Sequence, residues 1–433
     1  MIRNSKRGLA LTTVSLSALM AATLAANASG FALREQSATA QGLSYAGAAS
    51  GSGGLSSIYW NPATITMKPG WQSEWHASLI LPTGDITPLD GTAPVLLPLG
   101  PSGDFGQSAI IPSSYTSYQV NDRIWIGLSS SAPFGLATKS GPVWAGQTYA
   151  RTTKVASFNL NPIVGLKIND WLSIAAGPAL QYADLTVRRA LAPGLNPPSL
   201  SVELDDVDIG FTAGVNITPW AGTSLGVGYR SEIRHDLTGD LTTSLSTVKV
   251  PVELRVDTPS MLSVGLSQEI GWGWSIHAGY EWTNWSTLKV PQLVGPAGVL
   301  EPFPLNWDDS HFFSLGVEYQ VLPQWVLRAG VAYDTTPMSV AERNPRLPDN
   351  DRLWASVGVG YKWSDKLTFD LSYSHLFIDK AAINIVPGHQ DFQPGLPFVA
   401  EAEAQIDIVS FAVKYRWDDV KVAVPAVPVV RKY

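Results

Sequence analysis

Apolar side chains recur at every second position along most of this chain, from about Ser73 to Trp417, with small, hydroxylic or charged residues between them. Near the C-terminus Val409, Phe411, Val413, Tyr415 and Trp417 alternate with Ser410, Ala412, Lys414 and Arg416. Upstream, Leu353, Ala355, Val357, Val359 and Tyr361 oppose Ser356, Gly358, Gly360 and Lys362. A period of two sends successive side chains to opposite faces of a β-strand, so each stretch predicts a strand with one greasy face. Clusters of Gly, Pro, Asn and Asp separate the stretches and mark turns. Fourteen strands are predicted, starting near Ser73, Ser108, Ile124, Thr152, Leu172, Val202, Ser224, Lys249, Ser275, His311, Val326, Asp351, Leu367 and Val399.

Soluble sandwiches alternate as well, but their strands are shorter and their second face meets water. Long strands whose greasy face is bounded by Trp and Tyr suit a closed barrel in lipid, and an even strand count returns both ends to one side. The predicted fold class is therefore all-β, a fourteen-stranded antiparallel transmembrane β-barrel. A cylinder this wide has a lumen that wall side chains cannot fill, so a hatch (plug) is expected inside it. Residues 29–70 are the natural candidate, a run of small residues that closes on Trp60-Asn61-Pro62-Ala63. The alternative for this segment is a disordered periplasmic leader, against which Phe31, Leu33, Tyr59 and Trp60 weigh.

The ends of the chain fix the compartment. Arg3, Lys6 and Arg7 precede an apolar stretch from Leu9 to Ala26, and Ala26-Asn27-Ala28 offers small residues for cleavage. Residues 1–28 read as a signal peptide. No later apolar run is long enough for a transmembrane helix. Cysteine is absent from the 433 residues, which suits an oxidising compartment. The formal charge is already -7 with the basic leader included. No basic patch for nucleic acid survives its removal. Signal, strands and aromatic flanks together indicate the bacterial outer membrane. The expected divisions are 1–28 signal peptide, 29–70 hatch, 71–417 barrel and 418–433 a Pro-containing periplasmic tail.

Turns such as Asn121-Asp122, Asn169-Asp170 and Ser364-Asp365 are short and read as periplasmic, whereas 82–107, 189–201, 289–309, 336–350 and 379–397 read as extracellular loops. Three of the loops are apolar: Pro94 to Leu99, Val290 to Leu305, and Ile383 to Phe398. Either they form a vestibule for a greasy ligand or they pack on one another. The third strand meets Ala132-Pro133-Phe134-Gly135-Leu136, where Pro133 lacks an N–H and Gly135 suits a bend. Unpaired backbone facing hydrocarbon costs several kcal/mol per group. So the segment is a loop beyond the membrane or turns inward, and the residues alone favour the loop.

Taken together, these runs resemble the FadL/TodX family of outer-membrane channels for long-chain fatty acids and aromatic hydrocarbons. The resemblance rests on Gly30-Phe31-Ala32-Leu33, Asn61-Pro62-Ala63, Ala132-Pro133-Phe134-Gly135-Leu136-Ala137-Thr138, Tyr229-Arg230-Ser231-Glu232 and Pro348-Asp349-Asn350-Asp351-Arg352-Leu353-Trp354, in that order along the chain. It implies a hatch carrying Asn61, Pro62 and Ala63 as its signature, and a lateral opening where Pro133, Phe134 and Gly135 turn inward, reversing the loop reading. It implies passive uptake, with cargo bound in the lumen and released sideways into the membrane. Ligand contacts are implied at Phe31 and at Arg189, which meets a carboxylate if it, and not Arg188, faces the lumen. Phe134 at the kink and Lys289, at a strand end beside an apolar loop, are further ligand-contact candidates. The loops after Arg189 and Asp240 are shorter than the long helical excursions of the better-known fatty-acid members.

No cofactor or metal is expected, since the six histidines are scattered and no HExxH, G-x-S-x-G or phosphate loop stands in a strand-to-helix setting. The expected partners are a hydrophobic small molecule and outer-membrane lipid, with the chain acting as a monomer. An outer-membrane lipase, an adhesin and a plain porin are the competing classes. A lipase needs a Ser–His pair near the strand tops, and a porin needs an unplugged polar lumen.

Overall fold

The computed structural model describes residues 30–419; the signal peptide and the tail beyond Asp419 lie outside the described residues. The strands are β1 (Trp71–Pro88), β2 (Ala109–Gln119), β3 (Ile124–Ser131), β4 (Gly135–Lys139), β5 (Thr152–Lys167), β6 (Leu172–Ala190) and β7 (Ser199–Ile217). They continue as β8 (Thr223–Arg230), β9 (Ile233–Thr243), β10 (Ser246–Thr258), β11 (Met261–Gly271), β12 (Trp274–Thr283), β13 (Gln292–Gly295) and β14 (Gly298–Pro302). The last are β15 (Ser310–Leu322), β16 (Trp325–Asp334), β17 (Arg352–Lys362), β18 (Leu367–Ile378), β19 (Ala381–Ile385) and β20 (Phe398–Arg416).

Antiparallel pairing joins these segments into one sheet that closes on itself, because β1 pairs with β20 from Gln72↔Arg416 to Pro88↔Ala400. Three walls are interrupted: β3 continues as β4, β8 as β9, and β10 as β11. Counted as continuous walls, with the short loop strands β13, β14 and β19 set aside, the described residues form fourteen strands. Closure leaves the sheet without a first or last edge strand facing hydrocarbon.

Alternation sets inside and outside as the sequence predicts. Leu79, Leu81, Ile126, Leu128, Val164, Leu166, Leu371 and Phe411 are exposed around the outer face. Trp71, Trp171, Trp220, Trp272, Trp325 and Trp363 ring the end with the short turns, and Trp71 stacks on Trp417 at 5.3 Å between ring centres. An apolar band with aromatic flanks is what lipid selects.

The loop boundaries shift. Strand β1 runs on to Pro88, β19 and the β13–β14 hairpin form within expected loops, and β6 and β7 extend to either side of 191–198. The cause lies in pairing, since β6 and β7 stay in register up to Ala190↔Ser199 and turn chemistry gives no hint of that length. The loop containing Pro94–Leu99 and that containing Ile383–Phe398 pack together, burying Leu96, Phe105, Trp144, Ile383 and Phe398 in a core of their own.

Residues 30–68 fill the lumen as a short helix α1 (Ala38–Gln41) and three 3-10 turns, buried almost throughout. A disordered leader is thereby excluded for this segment. The small inward face of the wall is what admits it. A Cβ on Gly226 or Gly228 would stand 1.8 Å from the Ala49 or Trp60 carbonyl oxygen, and one on Gly330 would stand 2.1 Å from the Leu43 carbonyl carbon. Hatch backbone lies directly on wall backbone at these points. Asn61 caps the third 3-10 turn by accepting from Ala63 N at 3.0 Å, and its amide donates to Ala49 O at 2.7 Å and Val215 O at 2.9 Å. Arg34 is buried between Glu281 at 3.1 Å and Asp334 at 3.0 Å, with its guanidinium 4.2 Å from the centre of the Phe312 ring.

Candidate functional site

Ladder pairing between β2 and β3 runs only to Ser114↔Ser130, and β4 pairs with β5 along its length but meets the segment before β2 only at its far end, through the bridge Gly106↔Thr138. Between them Ala132, Pro133 and Phe134 leave the wall, and every residue from Ser129 to Thr138 is buried. The alternation of a strand in lipid is lost there because the segment turns inward. The loop reading of these residues is overturned, for a physical reason that sequence spacing does not carry: the hatch supplies the missing partner. Leu33 N donates to Pro133 O at 2.8 Å, and Gly135 N donates to Phe31 O at 2.8 Å. The Gln36 side chain donates to Ala132 O at 2.7 Å and accepts from Ala132 N at 3.1 Å. Phe134 N donates to Ser157 Oγ at 2.8 Å. Hatch residues 31–36 thus stand directly behind the gap, where Ser113 and Tyr115 of β2 both donate to Gln36 O.

Beside this junction lies a narrow cavity of about 140 Å³. Its walls are Leu136, Val155, Ala183, Leu185, Val187, Leu237, Leu254 and Val256 from the barrel, and Pro291, Phe303, Pro304, Leu305 and Trp307 from the 284–309 excursion. Met338, Asn344, Arg346 and Leu347 close it from the loop after β16, and Phe31 forms part of its floor. Polar groups are few: Thr153, Asp184, His235, Thr258, Asn344 and Arg346. Apolar walls with a few sparse polar points are the usual lining of a small-molecule site.

Phe31 is the hub of an aromatic cluster, 4.6 Å from Trp285, 5.7 Å from Trp307 and 5.9 Å from Phe134 between ring centres. Phe134 is buried in that cluster behind Phe31 and is not among the cavity-lining residues. Arg189 shares the inward parity of Val187 and Leu185, whereas Arg188 is exposed and pairs with Glu203 at 2.8 Å. The Arg189 guanidinium is held by Glu301 at 3.0 Å and lies outside the cavity lining. Lys289 is exposed and borders a separate polar hollow with Asp236, Glu253, Arg255 and Asp257. So the structure brings Phe31, Phe134, Pro133 and Gly135 together and leaves Arg189 and Lys289 apart from them.

Sequence reasoning passed over Trp285, Trp307, Met338 and Arg346. Two of the four lie in or beside the apolar run from Val290 to Leu305, whose unusual composition was the available signal. Arg346 is paired with Asp391 at 3.3 Å and stands 5.4 Å from the Phe303 ring centre. Asp349 of the Pro348–Trp354 run accepts from Gly30 N at 3.1 Å and Thr336 Oγ1 at 2.8 Å, and it also binds Arg352. That run therefore ties the start of the hatch to the loop roofing the cavity.

A plugged barrel with a greasy exterior, an apolar lumen cavity and a stave broken against the plug defines an outer-membrane channel of the hydrophobic-compound type. The comparisons agree. The chain belongs to the outer membrane protein transport family (OMPP1/FadL/TodX), whose profile matches residues 19–417. The long-chain fatty acid transport protein of Escherichia coli O6:H1 is 25% identical over 388 residues, covering 80% of this chain and 86% of its own. Outer membrane protein P1 of Haemophilus influenzae is 24% identical over 411 residues, covering 83% and 88%. Among solved structures, a Pseudomonas aeruginosa FadL homologue superposes with a TM-score of 0.81 at 23% identity, over 90% of this chain and 100% of that one. The Ralstonia pickettii toluene transporter TbuX gives 0.66 at 18% identity, over 88% and 99%. At these identities the structures speak for the fold.

Proposed function

We propose that this protein is a monomeric, passive uptake channel for hydrophobic small molecules, long-chain fatty acids or compounds of similar character. Cargo binds in the cavity above Phe31 and leaves through the gap beside Pro133 into the outer membrane. The observation that carries this reading is the shared position of Phe31, whose ring floors the cavity while its carbonyl stitches Gly135 of the broken strand. Occupancy of the cavity and closure of the gap therefore depend on one residue. Lateral release follows from energetics. Each buried methylene is worth about 0.8 kcal/mol, so a chain of about fifteen would give up roughly 12 kcal/mol on passing into water. Lipid as the acceptor removes that cost, and transport runs down the gradient without catalysis or a coupled ion.

The names of the relatives favour fatty acids as cargo. An aromatic hydrocarbon is the second reading, favoured by the Phe31, Trp285 and Trp307 rings. A deletion strain complemented with the wild-type gene should regain uptake of a labelled long-chain fatty acid or of toluene. Complementation with Phe31→Ala should restore less than about a tenth of it while the barrel still reaches the membrane. Equal uptake of both compounds with and without the gene would sink the reading.

A further inference from the structure

The wall has a second discontinuity, between β7 and the interrupted stave β8–β9. Pairing with β8 ends at Thr212↔Arg230, and pairing with β9 begins only at Asp205↔Thr238. Asp206 to Gly210 thus face Ile233 to Leu237 with no ladder between them. The edge amides confirm that the seam is open at the backbone level. Ile209 N donates to the carboxylate of its neighbour Asp208 at 2.6 Å, and Phe211 N donates to Ser231 Oγ at 2.9 Å. Two donors that a closed ladder would satisfy are capped by side chains, as a wall bordering hydrocarbon requires. One backbone bond, Ser231 N to Phe211 O at 2.9 Å, closes the end of the seam next to β8, and side chains span the rest. His235 Nδ1 stands 3.0 Å from Asp206 Oδ2, with Nε2 2.9 Å from Gln181 Oε1.

This seam backs directly on the cavity, since His235 and Leu237 line both. By register it lies level with the gap beside Pro133: Ser157, which holds Phe134, pairs with Ala183, and Ala183 pairs with Asp206. Its outer lips differ. Val207, Ile209 and Phe211 are 56%, 60% and 51% exposed on one side, an apolar surface for acyl chains. On the other, Arg234 pairs with Asp257 at 3.3 Å and Asp236 with Arg255 at 2.7 Å.

We propose that this seam is a second lateral portal joining the cavity to the outer leaflet, suited to a single-chain amphiphile whose tail follows Val207, Ile209 and Phe211 and whose anionic head meets Arg234. The inference rests on the uptake reading above and adds a path to it.

The chain has no cysteine, so paired cysteines report cleanly. The I209C/R234C protein, reconstituted in vesicles, is bridged across the seam with a short bismaleimide. L180C/I209C, bridged across the intact pair Leu180↔Ile209, is the control. Transfer of a fluorescent long-chain fatty acid between vesicle membrane and a trapped acceptor is measured before and after bridging. Bridging the seam should slow transfer at least threefold with the control unchanged, and fatty-acid affinity for the cavity should stay within twofold. Transfer unchanged after complete bridging of the seam, or slowed equally by the control, overturns the portal. Unmodified protein no faster than protein-free vesicles overturns the uptake reading instead.

Discussion

Replacing Arg34 by Met tests whether buried charge holds the hatch in the lumen. Arg34 is 2% exposed and serves two carboxylates, Glu281 and Asp334, that are 5% and 0% exposed. A pair of unit charges at 4 Å interacts by about 4 kcal/mol at an effective dielectric of 20. Removing one partner of such a buried set costs about 3–5 kcal/mol, because the remaining charges stay dehydrated. Met fills much of the space over Phe312, so packing contributes little to the loss. Every 1.4 kcal/mol is tenfold, so the ratio of docked to undocked hatch should fall by roughly two to four powers of ten. Planar-bilayer recordings read this directly, since an undocked hatch opens the lumen to ions. Frequent conductance steps are expected from the variant and few from the parent. Adding Glu281→Gln and Asp334→Asn should restore the closed state, since neutralising the whole set removes the uncompensated charge. An R34M channel as silent as the parent, or a triple variant as leaky as R34M, would refute the reasoning.

Two further outcomes follow from the lumen. Burial pushes the Glu35 carboxyl up to about 7, and neither oxygen has a hydrogen-bond partner from another residue. The docked hatch thus binds a proton that the undocked one releases near 4.5, so docking weakens as pH rises from about 4.5 to 7 and the loss, about 3 kcal/mol, is complete above that. Glu35→Gln should abolish this pH dependence and give the slower hatch proteolysis at pH 8; an unchanged pH profile would count against it. Gly226→Ala with Gly228→Ala should loosen the hatch by about 1–3 kcal/mol each, because hatch carbonyls occupy the space of the new methyl groups. The barrel itself should still migrate as a folded, heat-modifiable species on gels, and loss of that species would place the damage in the wall.

Period-two alternation was enough to determine the barrel. It depends on each residue's own position along a strand, and lipid outside with a packed lumen inside rewards opposite residue types at successive positions. The fourteen stretches each became one stave for that reason, and Phe31 at the start of the hatch was legible as an apolar residue with no strand to belong to. Pairing across the sequence decided the rest. Pro133 and Gly135 announced a break, but only the arrival of Leu33 and Gln36, a hundred residues earlier, made an inward turn cheaper than a loop. Which of Arg188 and Arg189 faces inward was not readable from the residues, and the inward one, Arg189, is held by Glu301 from a distant hairpin. The cavity is assembled from eight separated segments, and the seam at Asp206 from a register difference between two strands. Neither leaves a local signature, because hydrogen-bond partners and contact surfaces are properties of where the chain meets itself.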